Sequence, residues 1–120
     1  MKSHNVPAHP QVDDLARVTE VFKALSEPIR LQTMLLLSRS ERTVSELVSA
    51  VGVPQSTVSR HLGILRAAKL VRTERHGASV TYRLADTHLS ALLIEAFSHA
   101  QHERLQLTDH PAADAGEVPA

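Results

Sequence analysis

The chain has 120 residues, of which 42% are hydrophobic, and no cysteine; it is long enough for one small domain with a single core, and disulfides, thiolate metal sites and cysteine nucleophiles are excluded. Basic and acidic side chains number 13 each. Because no apolar run approaches the roughly 20 residues of a membrane span, and the first residues lack a signal peptide's apolar region, we expect a cytoplasmic protein.

The zero net charge hides an uneven distribution along the chain. Residues 60–83 carry six basic side chains and one acidic side chain, a local charge of +5. Residues 84–120 carry one basic side chain and six acidic ones, a local charge of −5. The first segment suits an anionic partner such as DNA, and the second suits cations.

The first 42 residues predict an arm and two helices. Residues 1–10 contain two prolines and little apolar content, so we expect a flexible arm. Apolar side chains at spacings of three and four predict an amphipathic helix over Val12–Leu25. A proline at position 28 suits the first turn of a second helix, which would run to about residue 38 with Ser26 as its N-cap. The polar run 38–42 predicts a loop.

Two short helices joined by a turn that contains glycine come next. The first would begin near Val44, with Ser45 or Thr43 as its N-cap. It would end at Gly52, because glycine is favoured just past a helix C-terminus. The second would cover residues 55–68. This arrangement is the helix-turn-helix pattern of DNA-binding proteins, in which the second helix enters the major groove.

The second of these helices has an apolar side and a polar side. Val58, Leu62, Ile64 and Leu65 are expected to face the core. Short polar side chains and arginines suit base edges and phosphates in the major groove, although an ordinary solvated helix face is the alternative. The predicted DNA contacts on and near this helix are Gln55, Ser56, Thr57, Ser59, Arg60, His61 and Arg66.

Alternating apolar and polar residues predict a β-hairpin after this helix. Its strands would cover residues 71–75 and 79–84, around His76-Gly77-Ala78. A basic hairpin that follows a recognition helix is typical of a wing, whose cations reach the DNA backbone or the minor groove. The predicted wing contacts are Arg72, Arg75 and His76.

A last helix, predicted over residues 87–107, carries histidines at steps of 11 and three residues. At about 100° per residue, His88, His99 and His102 share one stripe. Eleven residues at about 1.5 Å each separate His88 from His99 by roughly 16 Å, far more than the ~2 Å of a metal–nitrogen bond. A second, antiparallel copy would bring Asp86 and His88 to the partner's His99 and His102. The spacing therefore predicts a homodimer with two symmetric metal sites between its subunits.

The same residues also have a simpler explanation. Aspartate is a preferred residue type at helix N-caps, so Asp86 could simply be a cap. In a chain with 8 histidines, the three on this helix could be solvated surface residues.

An apolar stripe runs beside these histidines, so we expect the first and last helices to form the dimer interface. Residues 108–120 predict a disordered tail, which leaves residues 11–107 as the DNA-binding and dimerisation domain. The stripe comprises Leu89, Leu92, Leu93, Ala96, Phe97 and Ala100.

From about residue 12 to residue 107 the chain resembles the ArsR/SmtB family of metal-responsive winged-helix repressors. The resemblance implies a fold that is mainly α with a small β-hairpin, dimerisation, and operator DNA as a partner. In one subgroup, zinc, cobalt or nickel binds an Asp and a His near the start of the last helix and a second pair further along it, across the dimer. Asp86, His88, His99 and His102 fit that pattern. The stretches that carry the resemblance are Leu25-Ser26-Glu27-Pro28-Ile29-Arg30, Thr43-Val44-Ser45-Glu46-Leu47, Gln55-Ser56-Thr57-Val58-Ser59-Arg60-His61-Leu62 and Leu65-Arg66-Ala67-Ala68-Lys69-Leu70-Val71.

Two departures narrow what the resemblance implies. The family's arsenic, cadmium and lead sensors use cysteines, so this chain is not expected to sense thiophilic metals. Lys69 stands where many relatives have glycine, and a non-glycine residue must then accept a turn conformation.

The identity of the metal is limited by the ligand types. Three imidazoles and one carboxylate suit zinc or cobalt. Nickel prefers more ligands, and His4, His9 and His110 near the chain ends could supply them; the alternative is that these three are ordinary surface histidines.

The expected function is that of a repressor that leaves its operator when zinc, nickel or cobalt binds between the last helices. The alternative is a winged-helix regulator, either a repressor or an activator, whose DNA binding is not controlled by metal. A metallohydrolase is disfavoured, because a site with four protein ligands leaves no open position for an activated water.

Overall fold

The structure is a computed structural model that describes residues 6–109, and the side chains of residues 6–106. It confirms a mainly helical winged helix-turn-helix fold. No helix in this range is long and apolar enough to cross a membrane. His4, in the predicted arm, lies outside the described residues. The predicted tail from His110 onward lies outside them as well. The elements in order are α1 (Val12–Leu25), α2 (Pro28–Leu37), β1 (Arg42–Thr43), α3 (Val44–Val51), α4 (Gln55–Ala67), β2 (Val71–His76), β3 (Ser79–Leu84) and α5 (Thr87–Asp109).

The helix starts differ from the prediction in one case. Ser26 is not the N-cap of α2, because its hydroxyl donates to the carbonyl of Lys23 in α1. Glu27 is the N-cap instead, and its Oε1 accepts from the backbone N–H of Ile29 at 2.8 Å and of Arg30 at 3.1 Å. A glutamate can replace the usual serine because its carboxylate also complements the positive end of the helix dipole.

The helix-turn-helix is fixed by its own caps. Of the two predicted N-caps of α3, Thr43 is the one used: its hydroxyl accepts from the N–H of Glu46, and the Glu46 carboxylate accepts from the N–H of Thr43. This reciprocal capping box satisfies two donors that the first turn would leave unpaired. Gly52 ends α3 with φ of 80°, the left-handed conformation that glycine accepts most readily.

The wing is part of a three-stranded antiparallel sheet in the order β1-β3-β2. The hairpin of β2 and β3 is confirmed, and β2 continues one residue past its predicted end to His76, which pairs with Ser79. The two residues of β1, predicted as loop and helix cap, pair with the other edge of β3. A two-residue strand has no alternation to reveal it, so β1 depends on the neighbouring strand rather than on local sequence.

The core lies beneath the helix-turn-helix, where α2, α3 and α4 meet the base of the wing and α5. Ile64 was predicted to face it, and this was wrong, since Ile64 is 37% exposed. The backbone N–H of Ala85 donates to the carbonyl of Leu70, which ties the start of α5 to the strand entering the wing. The side chains with less than 2% exposure include Met34, Leu47, Val58, Leu62, Leu65 and Leu93.

Two helices leave apolar side chains outside this core. On α1, Val12, Leu15, Val18 and Phe22 are between 49% and 81% exposed. On α5, Leu92, Ile94, Phe97 and Leu105 are between 36% and 50% exposed. The helix α5 also continues to Asp109, two residues beyond its predicted end, so Thr108 and Asp109 belong to the helix and not to the tail.

Candidate functional site

The first half of α4 presents a polar surface to solvent. Gln55, Ser56, Ser59 and Arg60 are exposed, and Thr57 is half-buried. The opposite side is held in the core by residues at spacings of three and four, which fixes how α4 is rotated about its own axis. The exposed set therefore has the position and the chemistry of a recognition helix for the major groove.

His61 does not belong to this exposed set, which corrects its prediction as a DNA contact. Its side chain is buried, with 3% exposure. The ring nitrogen Nδ1 lies 3.0 Å from Nη1 of Arg30 and 3.8 Å from Oε1 of Glu27, both on α2. Burial lowers the pKa of His61 below its usual 6.5 and outweighs the Glu27 carboxylate, which raises it; Arg60 and Arg30 lower it further. His61 is therefore an internal contact between α4 and α2.

Basic side chains continue from the end of α4 into the wing. Arg66, Arg72 and Arg75 are all exposed, a position from which a guanidinium can reach a DNA phosphate. Arg72 lies directly opposite Arg83 in the register of β2 and β3, so both guanidinium groups project from the same face of the wing. These cations give the wing a positive surface beside α4.

The predicted metal ligands are arranged on α5 as two separate pairs. Nδ1 of His88 lies 3.6 Å from Oδ1 of Asp86, near the roughly 3.3 Å that separates two ligands of a tetrahedral metal. The second pair, His99 and His102, lies three residues apart on the same helix, and all four side chains are exposed. One chain does not bring the two pairs together, because roughly 16 Å of helix separates them.

The helix-cap explanation for Asp86 is also present in the structure. Its Oδ1 accepts from the backbone N–H of Leu89 at 3.2 Å, which satisfies a donor in the first turn of α5. A carboxylate can cap a helix and still bind a second partner, because its two oxygens together offer about four acceptor positions. The capping role therefore does not exclude a metal at the same residue.

Comparison with known proteins decides the family. A model of the family described as "Bacterial regulatory protein, arsR family" matches residues 27–73. A 99-residue stretch, 82% of the chain, is 44% identical to the HTH-type transcriptional repressor SmtB of Mycobacterium tuberculosis and covers 73% of that protein. The chain belongs to the ArsR family. This ArsR-family chain is also 39% identical to the HTH-type transcriptional regulator KmtR of the same species. That match extends over 104 residues, which are 87% of this chain and 80% of KmtR.

A similar solved structure supports the fold and is itself a homodimer. It is the homodimeric winged helix-turn-helix DNA-binding domain of a possible ArsR-family regulator from Mycobacterium bovis. The similarity covers 82% of this chain and 91% of the relative, with a TM-score of 0.70 and 30% identity. The relative is a homodimer, whereas the structure described here is one protomer.

The wing of this ArsR-family chain also contains a group of charges that the sequence analysis missed. Within residues 6–106, the one group of three metal-binding side chains whose ligand atoms all lie within 4.8 Å of one another is Glu41, Glu74 and His76, all exposed. Glu41 also accepts from the hydroxyl of Thr81 at 2.9 Å, and Glu74 lies 4.0 Å from Arg83. Two carboxylates beside the predicted contact His76 repel phosphate, so Arg75 is the better wing contact.

Proposed function

We propose that this protein is a metal-responsive transcriptional repressor that binds operator DNA as a homodimer and releases it when a divalent metal binds between the last helices. It is a regulator rather than an enzyme, and it acts in the cytoplasm with the DNA it controls. One observation carries the metal part of the proposal. Asp86, the cap of α5, forms an exposed pair with His88, and α5 also carries an exposed His–His pair beside an exposed apolar stripe.

The dimer is supported by the apolar surface that one protomer leaves uncovered. The exposed faces of α1 and α5 include Phe22 and Phe97, which are large side chains rarely left in water without a partner. A two-fold axis perpendicular to the α5 helices would run them antiparallel. The start of one helix would then meet the end of the other, and Asp86 and His88 would lie beside His99 and His102 of the partner subunit.

The donor set suits zinc, cobalt or nickel. The three imidazoles are borderline nitrogen ligands and outnumber the single hard carboxylate, so the set favours these ions over calcium or magnesium. Nδ1 of His88 and Oδ1 of Asp86 are 3.6 Å apart, close to the separation of two ligands of one ion. A bound ion would link the terminal helices of the two subunits. His9 is exposed on the segment before α1, and with His4 and His110 it is proposed as an additional ligand for nickel.

DNA binding is proposed to depend on the distance between the two recognition helices. In a dimer, these helices must meet half-sites about one turn of DNA apart, roughly 34 Å. If metal-bridged α5 helices favour a different angle between subunits, metal and DNA weaken each other's binding by the same free energy, typically about 1–3 kcal/mol. The α4 contacts proposed for the DNA are Gln55, Ser56, Thr57, Ser59 and Arg60, joined by Arg66, Arg72, Arg75 and His76.

The test is fluorescence anisotropy on the DNA upstream of the protein's own gene, with zinc, nickel and cobalt titrated into the preformed complex. We expect release by at least one metal at a low ratio to protein. Substitution of both His99→Ala and His102→Ala should leave metal-free DNA affinity unchanged and abolish the release. The matched control replaces their neighbours on α5, Ser98→Ala and Gln101→Ala, and should keep the full metal response.

Two results would contradict the proposal in different ways. Tight DNA binding that no metal changes would favour the alternative, a winged-helix regulator in which Asp86 serves only as the cap of α5. An equal loss of metal-free DNA affinity in the double histidine variant would show that these histidines support the fold or the DNA contact rather than metal sensing. Release that weakens as the pH falls towards about 6 would agree with protons competing for the imidazoles.

A further inference from the structure

The buried histidine of the recognition helix has one defined protonation state. Nη1 of Arg30 lies 3.0 Å from Nδ1 of His61. A guanidinium has donors only and stays charged, so Nδ1 must accept the hydrogen bond and the ring proton must be on Nε2. A second proton on Nδ1 would place two donors against each other. The contact therefore exists only while His61 is neutral.

The same arginine also contacts the end of α1. Its Nε donates to the carbonyl of Ala24 at 2.6 Å, and Ala24 is buried in the last turn of α1. The backbone N–H of Arg30 donates to Oε1 of Glu27, the cap of α2. A single guanidinium thus joins α1, which carries the exposed apolar face, to α4, which carries the candidate DNA contacts.

The position of His61 on α4 determines how the neighbouring candidate DNA contacts are oriented. The exposed residues Ser59 and Arg60 immediately precede it in the same helix, so a tilt of α4 at His61 would move both of them relative to the DNA. Glu27, Arg30 and Arg60 are the charged groups of α2 and α4 that act on the ring. Only Glu27, 3.8 Å away, would stabilise a protonated imidazole.

We propose that His61 is a positioning residue for DNA recognition: its neutral ring accepts from Arg30 and so holds the DNA-facing half of α4 in a fixed orientation to the end of α1. This inference rests on the proposed function, because it assumes that α4 binds operator DNA. A consequence is that protonation of His61 breaks this contact, loosens the DNA-facing half of α4 from the end of α1 and weakens DNA binding. This effect does not require metal, since the contact includes none of the proposed metal ligands.

Two substitutions at the same position separate this role from simple packing. His61→Leu introduces an apolar side chain of similar bulk and removes the acceptor, so Nη1 of Arg30 loses its partner while Nε keeps the carbonyl of Ala24. His61→Asn places an amide oxygen near the position of Nδ1 and does not titrate. The matched control is Thr33→Val, which removes another buried polar group of 1% exposure whose hydroxyl bonds within α2, to Ile29.

DNA affinity is measured by anisotropy on the full chain with chelator present, at about pH 7.5 and about pH 6, a range in which a histidine can change its charge. At the higher pH we expect His61→Leu to bind about tenfold more weakly than wild type, because Nη1 of the half-buried Arg30 is left without its acceptor. His61→Asn and Thr33→Val should stay within about twofold of wild type. At the lower pH, wild type should lose affinity relative to His61→Asn.

The outcomes distinguish this inference from the proposed function. Wild type that binds no upstream DNA refutes the proposed function and the inference with it. Wild type that binds, together with His61→Leu that binds as tightly as Thr33→Val, overturns the inference alone. Thermal unfolding of each variant checks the fold. If His61→Leu does not fold, the pH profile of His61→Asn decides, and a profile identical to that of wild type overturns the inference.

Discussion

Truncation of Phe22 should weaken the homodimer far more than it disturbs the protomer. Phe22 is 54% exposed on α1. A phenylalanine side chain has roughly 200 Å² of surface, so about 100 Å² remains for a partner to cover. At about 25 cal/mol per Å², this burial is worth about 2.5 kcal/mol in each protomer. In a two-fold dimer both copies contribute, so Phe22→Ala should cost about 4 kcal/mol after allowing for the methyl group that alanine retains.

The expected result is a dimer dissociation constant about a thousandfold higher, since each 1.4 kcal/mol corresponds to a factor of about ten. Sedimentation equilibrium over a range of concentrations measures it, and circular dichroism checks that the helices remain. The matched control is Ile64→Ala, which removes an apolar side chain of 37% exposure from α4 and should leave the dimer unchanged. A folded Phe22→Ala variant with the wild-type dissociation constant would refute the assignment of α1 to the interface.

Two further predictions concern the stability of the protomer. Lys69 has φ of 63°, so Lys69→Gly should relieve backbone strain and raise the free energy of unfolding by about 1 kcal/mol, as measured with urea; a decrease would show that the lysine side chain stabilises the turn. Burial lowers the pKa of His61 below 6.5 in the folded state. The unfolded chain therefore binds a proton at His61 at a higher pH than the folded chain does. The free energy of unfolding should be greatest above about pH 6.5 and should decrease as the pH falls below about 6.5. A urea midpoint that is independent of pH in this range would contradict this.

Most of the helical structure could be predicted because its signals are local. Val12–Leu25 was predicted with its observed bounds, since apolar spacing and flanking residues are sequence properties. The unusual turn at Lys69 was also expected, and its positive φ confirms it. The strand β1 could not be predicted, because its two residues become a strand only by pairing with β3.

The errors on α4 came from giving residue type more weight than spacing. The buried positions of this helix are Val58, His61, Leu62 and Leu65, which follow steps of three, one and three residues. This is one continuous helical stripe. His61 lies on that stripe and Ile64 lies off it, so the periodicity already contained both corrections. A polar residue on an apolar stripe requires an internal partner, and here that partner is Arg30 on α2.

The two pairs of candidate metal ligands would affect the recognition helix through the arrangement of the two subunits, whereas the buried His61 affects it within one subunit. Under the proposed function, Asp86 and His88 would meet His99 and His102 only across the two-fold axis, so metal would set the angle between whole subunits. Within each subunit, α4 is held to α1 by the guanidinium that joins Ala24 and His61, and Arg17 of α1 donates to the carbonyl of Ala68 at the end of α4. Because these ties make α4 move with α1, a change in the dimer interface changes the spacing of the recognition helices rather than their internal structure. Under the proposed function, metal would therefore control the distance between the two recognition helices, which must match the half-site spacing of the DNA.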